Sequence, residues 1–153
     1  IRTRDAERIE TWLDQARDLG ATVHCGGTRE GRLIQPTVLT DVPRDANAWC
    51  EEVFGPVVSI APVDDDEAAL DEINRSPYGL QAGLFTQRVD LALRAARVLQ
   101  VGGIIHNDGS AFRVDGMPYG GTRDSGLGRE GPRHAVIHDY TEPRILVLRE
   151  ESP

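Results

Sequence analysis

Several groups of residues invite a chemical reading. Gly126-Leu-Gly128-Arg-Glu-Gly131 spells G-x-G-x-x-G, a spacing that lets backbone N–H groups meet a pyrophosphate where a strand turns into a helix. Tyr119 to Ser125 precede it and read as loop, so the motif is expected to be a coincidence of spacing. His134 and His138 would share a helix face, but Ala135 stands where a zinc protease needs glutamate and no cysteine pair has metal spacing. No metal site is expected. Cys50 precedes Glu51 and Glu52, whose charge disfavours a thiolate, and Cys25 closes a strand-like run before Gly26-Gly27. Neither is expected to be a nucleophile.

Two stretches promise more. In Glu51-Glu-Val-Phe-Gly-Pro-Val57 an acidic pair runs straight into an aromatic residue and a Gly-Pro turn. An ionised carboxylate only accepts hydrogen bonds and can grip two vicinal ribose hydroxyls. A helix end capped by a Gly-Pro turn, with Phe54 in the core, fits the same spacing equally well. The segment from Asn107 to Gly121 is too long for idle connection. Its Phe112, Met117 and Tyr119 suit the wall of a pocket, and Arg113 suits an anionic group.

Helices and strands in alternation must position these residues. Ala6, Ile9, Leu13 and Ala16 recur at helical spacing and Gly20 stops the run. Extended runs follow at Ala21–Cys25 and Thr37–Thr40, then a short helix over Asp45–Val53 and a buried apolar strand over Val57–Val63. Asp64-Asp-Asp66 opens a helix through Ile73, as acids suit a helix N-terminus. A strand over Leu80–Thr86, an amphipathic helix over Val89–Leu99 carrying Leu91, Leu93, Ala95, Ala96 and Leu99, and a strand over Gly102–His106 come next. A glycine-rich loop leads to a helix over Gly131–Asp139 and a last apolar strand over Arg144–Arg149. The alternation predicts an α/β layer fold with parallel pairing, and the terminal strand is expected to complete a neighbouring subunit's sheet.

The whole composition narrows the classes further. The 153 residues carry 17 basic and 25 acidic side chains, a net charge of −8 with no basic cluster, which argues against nucleic acid. No apolar run approaches the ~20 residues of a membrane-spanning helix. Two cysteines make no disulfide framework, so a cytoplasmic setting is expected. All basic residues are arginine, the only methionine is Met117, and the chain opens at Ile1. It is therefore expected to be a piece of something longer.

Glu51-Glu-Val-Phe-Gly-Pro-Val57, Ser76-Pro-Tyr-Gly-Leu80 and Met117-Pro-Tyr-Gly-Gly-Thr-Arg-Asp-Ser-Gly-Leu-Gly-Arg-Glu-Gly131 together resemble the C-terminal part of the NAD(P)-dependent aldehyde dehydrogenases. The likeness runs from about Ile1 to Glu150, and Phe112 to Tyr119 is similar to the branch acting on lactaldehyde, phosphonoacetaldehyde and glyceraldehyde 3-phosphate. The resemblance implies that residues 1–139 are an incomplete catalytic domain and residues 140–153 an oligomerisation strand and tail. It implies NAD or NADP as cofactor, with Glu52 on the nicotinamide ribose and Phe54 beside the nicotinamide. It places Ser110, Phe112 and Arg113 against a small-molecule aldehyde, and pairs Arg144–Arg149 across a homo-oligomer interface. In that family an aldehyde becomes a carboxylate through a cysteine thioester. The nucleophilic cysteine, general base and Rossmann domain lie upstream of the region resembled, so no catalytic residue is expected in this chain and alone it is expected to be inactive. Arg123 stands where the family usually has lysine. The other reading is a free-standing, non-catalytic assembly module that docks on a full-length relative.

Overall fold

The computed structural model describes residues 2–131, 137 and 140–148. The chain divides into two compact units, Ile1–Ala69 and Leu70–Pro153.

The first unit is built on helix α1, Thr3–Asp18, whose buried face is Ala6, Ile9, Leu13 and Ala16. Those are the residues of the spacing argument, and they line one side because i, i+3, i+4 and i+7 share a helix face. Strands β1 (Thr22–Cys25), β4 (Thr37–Thr40) and β5 (Val57–Ile60) form one sheet in the order β1-β4-β5, with a two-stranded hairpin of β2 (Arg29–Glu30) and β3 (Leu33–Ile34) beside them in sequence. β1 runs antiparallel to β4, and β4 parallel to β5 in the register Thr37 to Val57 through Thr40 to Ile60. The short helix α2, Asn47–Cys50, covers less than the expected Asp45–Val53. Ile34, Leu39, Val42, Ala46 and Ala48 close the core against α1.

One expectation fails in this unit. β5 is not buried on both faces: Val58 and Ile60 are about half exposed, at 51% and 52%. It lies at the sheet edge and alternates inward and outward like any strand with a single covered face.

Helix α3, Asp66–Arg75, starts at a capped N-terminus, where the Asp65 Oδ1 accepts the Ala68 N–H at 2.8 Å. The second unit gathers Leu70 of α3 with Leu91, Ala95 and Leu99. The last three belong to helix α4, Val89–Val98, and its cap. Leu93, counted on the apolar stripe, is 53% exposed: two residues beyond Leu91 is some 200° around the helix, away from the core. β7 (Gln81–Leu84) pairs parallel with β8 (Gly103–His106), and β6 (Tyr78–Gly79) pairs antiparallel with β9 (Thr122–Arg123). Parallel pairing thus holds for β4·β5 and β7·β8 only, and the other three pairs are antiparallel. Residues 144–148 form no strand within the single chain, and Ile145 to Leu148 are exposed. Arg149, the expected helix over Gly131–Asp139 and its two histidines fall wholly or largely outside the described residues.

Candidate functional site

Glu52 and Phe54 lie on a short connection between α2 and β5, held from three sides. The Arg8 Nη2 of α1 donates to the Val53 carbonyl at 2.7 Å. Thr37 donates its N–H to the Pro56 carbonyl at 2.9 Å. Gly55 packs directly on the Ile9 side chain, where an added Cβ would come within 2.5 Å of Cδ1. A larger residue there would have to displace the end of the buried Ile9 side chain.

With its neighbours fixed, Phe54 adopts a left-handed backbone, φ 53°, and its side chain is 76% exposed. A bulky residue in that region costs about 1–2 kcal/mol. The core reading of Phe54 therefore fails: the chain turns the ring outward. Glu52 is exposed, and its carboxylate meets no partner among the described residues. A free carboxylate two residues from an outward aromatic ring, on a backbone fixed by Val53, Gly55 and Pro56, can take hydroxyl donors and stack a planar heterocycle.

Ser110, Phe112 and Arg113 share one loop of the second unit. Asn107 opens it in the left-handed conformation, with its Oδ1 accepting the Thr86 N–H at 2.8 Å and its own N–H donating to Leu84. Asn is one of the few non-glycine residues suited to that conformation. Gly83 on β7 lets the loop close in: a Cβ there would lie 2.7 Å from the Asp108 carbonyl oxygen and 3.1 Å from the Ser110 nitrogen. The Gln81 Nε2 donates to the Phe112 carbonyl at 2.7 Å, leaving the Phe112 ring 44% exposed. Arg113 rests over the Tyr119 ring, 4.4 Å from its centroid. That contact orients a guanidinium while leaving its N–H donors for an anion.

The glycine motif at Gly126–Gly131 sits in loop, as expected, with Gly126, Gly128 and Gly131 all at positive φ and no strand directly before it. Cys25 and Cys50 are free thiols; Cys25 points its Sγ at the Pro36 carbonyl. Among the described residues no cluster of His, Cys, Asp and Glu could hold a metal, and no helix is long and apolar enough to cross a membrane.

Sequence reasoning notes Arg123 in place of a lysine and gives it no role. Its Nη1 donates to the Asn74 and Ser76 carbonyls at 2.8 and 2.5 Å, and its Nη2 to those of Tyr78 and Gln100 at 3.0 and 3.1 Å. Its partners lie 23 to 49 positions away, too far for any local pattern to announce them. Two residue pairs lean on the same place: Thr122 Oγ1 donates to Gln100, and Ser125 Oγ accepts from the Gly79 N–H.

The aldehyde dehydrogenase family model matches residues 1–146. The chain is 50% identical over 148 residues to a 3-sulfolactaldehyde dehydrogenase from Priestia aryabhattai, covering 97% of this chain and 31% of that protein. Aldehyde dehydrogenase 21 from Physcomitrella patens, solved with the reaction product succinate, superposes with a TM-score of 0.86 at 45% identity, over 88% of this chain and 28% of that one. A glyceraldehyde-3-phosphate dehydrogenase from Methanocaldococcus jannaschii, complexed with NADP, superposes with a TM-score of 0.80 at 39% identity, over 87% and 29%. The chain spans less than a third of the length of these relatives.

Proposed function

As this chain belongs to the aldehyde dehydrogenase family, we propose that it is the C-terminal portion of the catalytic domain of an enzyme that oxidises an aldehyde to a carboxylate with NAD or NADP. Residues 1–139 supply part of that domain, and residues 140–153 a strand and tail that pair between subunits of a homo-oligomer. The cysteine that attacks the carbonyl and the thioester it forms belong to the remainder of the enzyme, so the chain alone oxidises no aldehyde.

The observation that carries this reading is the conformation at Phe54. Left-handed backbone under an exposed aromatic ring is unfavourable for the fold itself, and it persists because Arg8, Thr37 and Ile9 fix the residues around it. Strain of this kind gathers at ligand sites. Glu52 accepts the nicotinamide-ribose hydroxyls and Phe54 lies along the nicotinamide. The nicotinamide, when bound, accepts a hydride. Glu52 and Phe54 orient it, and an error of about 1 Å in such positioning can cost on the order of 100-fold in rate.

Ser110, Phe112 and Arg113 wall the aldehyde, and Arg113 selects one with an anionic group. Support comes from the guanidinium presented over Tyr119 and from relatives named for 3-sulfolactaldehyde and glyceraldehyde 3-phosphate.

The test is Glu52→Gln in the full-length enzyme, which keeps the shape and removes the charge. Cofactor affinity should fall or hydride transfer should slow, with the melting temperature held. Wild-type values of both refute the ribose role. Arg113→Gln should raise KM for an anionic aldehyde and leave that for a neutral one, such as lactaldehyde, in place.

A further inference from the structure

The loop carrying Ser110, Phe112 and Arg113 has a beginning fixed by Asn107 and Gly83, but its far end needs an anchor of its own. That end runs through Tyr119, Gly120 and Gly121 into β9. Gly121 is buried, Tyr119 bridges to Glu130, and the Arg129 Nη1 donates to the Gly121 carbonyl at 3.0 Å. Two residues after Gly121 comes Arg123, in a left-handed conformation, φ 54°, that turns its side chain into the unit.

The guanidinium there meets an unusual set of acceptors. Asn74 lies in the last turn of α3 and Ser76 just beyond it. Tyr78 belongs to β6, and Gln100 follows the cap of α4. The last carbonyls of a helix have no partner within it and carry its partial negative charge. Of the four, Asn74 offers a carbonyl of the last turn of α3, and Gln100 one from the residue just past the cap of α4, so one cation joins the places where the two helices end. Asn74 ties the same two ends together from the other side, its Nδ2 donating to Val98 and its Oδ1 accepting from the Gln100 N–H.

Donor number explains the residue type. Arginine offers five N–H groups and lysine three. The two Nη atoms carry four hydrogens, matched to four backbone carbonyls. The Nε, buried, has no partner among the described residues. Lysine, with three donors on a single nitrogen, could not reach all four, and the Gln100 carbonyl would then depend on the Thr122 Oγ1 alone.

We propose that Arg123 is a positioning residue: a guanidinium latch that fixes the far end of the 107–121 loop by clamping it to the ends of α3 and α4. Its effect on the reacting groups is indirect. It holds the segment on which Tyr119 sits, and the Tyr119 ring in turn sets the direction of Arg113. The link to the aldehyde rests on the function proposed above for that loop; the latch itself does not.

Arg123→Ala and Arg123→Lys in the full-length enzyme test it, read by hydrogen exchange and by steady-state kinetics. In Arg123→Ala the amides of residues 107–121 should exchange at least about tenfold faster, while those of α1 and β4 stay at the wild-type rate. The KM for aldehyde should rise about tenfold or more, with cofactor KM unchanged because Glu52 and Phe54 sit on elements the latch does not touch. Arg123→Lys should fall between, and free guanidinium at millimolar concentration should slow the loop's exchange in Arg123→Ala. If Arg123→Ala does not fold, Arg123→Lys decides, since it keeps the charge and loses donors. Wild-type exchange of the loop overturns the latch, and so does a rise in exchange spread evenly over the whole chain. Faster loop exchange with an unchanged aldehyde KM supports the latch and refutes the placing of Ser110, Phe112 and Arg113 against the aldehyde.

Discussion

The two units hold their exposed functional residues by different means. In the first, Glu52 and Phe54 stand on a backbone pressed against α1, in front of a core of nine buried residues. In the second, the buried core is smaller, at four residues, and the 107–121 loop is held by side chains bonding to backbone: Asn107, Gln81, Thr122 and Arg123. Apolar packing is nondirectional and tolerates nothing missing. Polar clasps are directional, and each bond contributes only about 1 kcal/mol net. The first unit should therefore be sensitive to lost volume, and the second to lost donors.

The largest effect expected is in the first core. Leu13 is 2% exposed and Leu13→Ala should cost about 3 kcal/mol, whereas Leu91, at the rim of the smaller core, should cost about 2. Both tryptophans, Trp12 and Trp49, lie in the first unit, so urea unfolding followed by their fluorescence reports on it. Leu13→Ala should move that transition and Leu91→Ala should move it less. Equal shifts would mean that the two units unfold as one body, and the contrast between them would collapse.

Phe54→Gly sharpens the contrast from the other direction. It relieves about 1–2 kcal/mol of left-handed strain and adds about 0.5–1 kcal/mol of chain entropy to overcome. Stability should stay within about 1 kcal/mol of wild type while cofactor binding weakens. Thermal melting and cofactor titration of the full-length enzyme check this. Undiminished binding would remove Phe54 from the site.

The smallest effect is at the start of α4. The Arg88 side chain bonds Asp90 at 2.8 Å and, with some opposition from desolvation, holds its carboxyl below the ordinary aspartate range. A lowered value in the folded state stabilises above the unfolded pKa and is lost as pH falls through the folded one. Asp90→Asn should thus lower the melting temperature slightly at neutral pH, and the difference should vanish on acidification. A difference that persists in acid would point to helix capping rather than charge.

Much of the first unit is written in local spacing. α1 is legible because four small or branched apolar residues fall on one face, and β4 because Thr37-Val-Leu-Thr40 is a short run of β-branched and apolar residues, although the alternating burial it shows is not in the residue types. The β2–β3 hairpin is not, since two-residue strands around Gly31 are too short to show alternation. β5 reads as buried from its composition, but burial depends on what lies beyond the sheet edge. At the site, Glu52 and Phe54 are legible as a motif. The outward turn of Phe54 is not, because a left-handed conformation is ordinarily signalled by Gly or Asn. Arg123 is legible only as standing in place of a lysine, because its four carbonyls come from segments that only the fold assembles.

The choice of arginine at that clasp has a chemical consequence as well as a geometric one. A lysine ammonium can lose its proton when buried, and the free amine condenses with carbonyl compounds to form Schiff bases. A guanidinium keeps its charge throughout the pH range in which proteins fold. With no lysine anywhere in its 153 residues, this chain offers a reactive aldehyde no side-chain amine to modify.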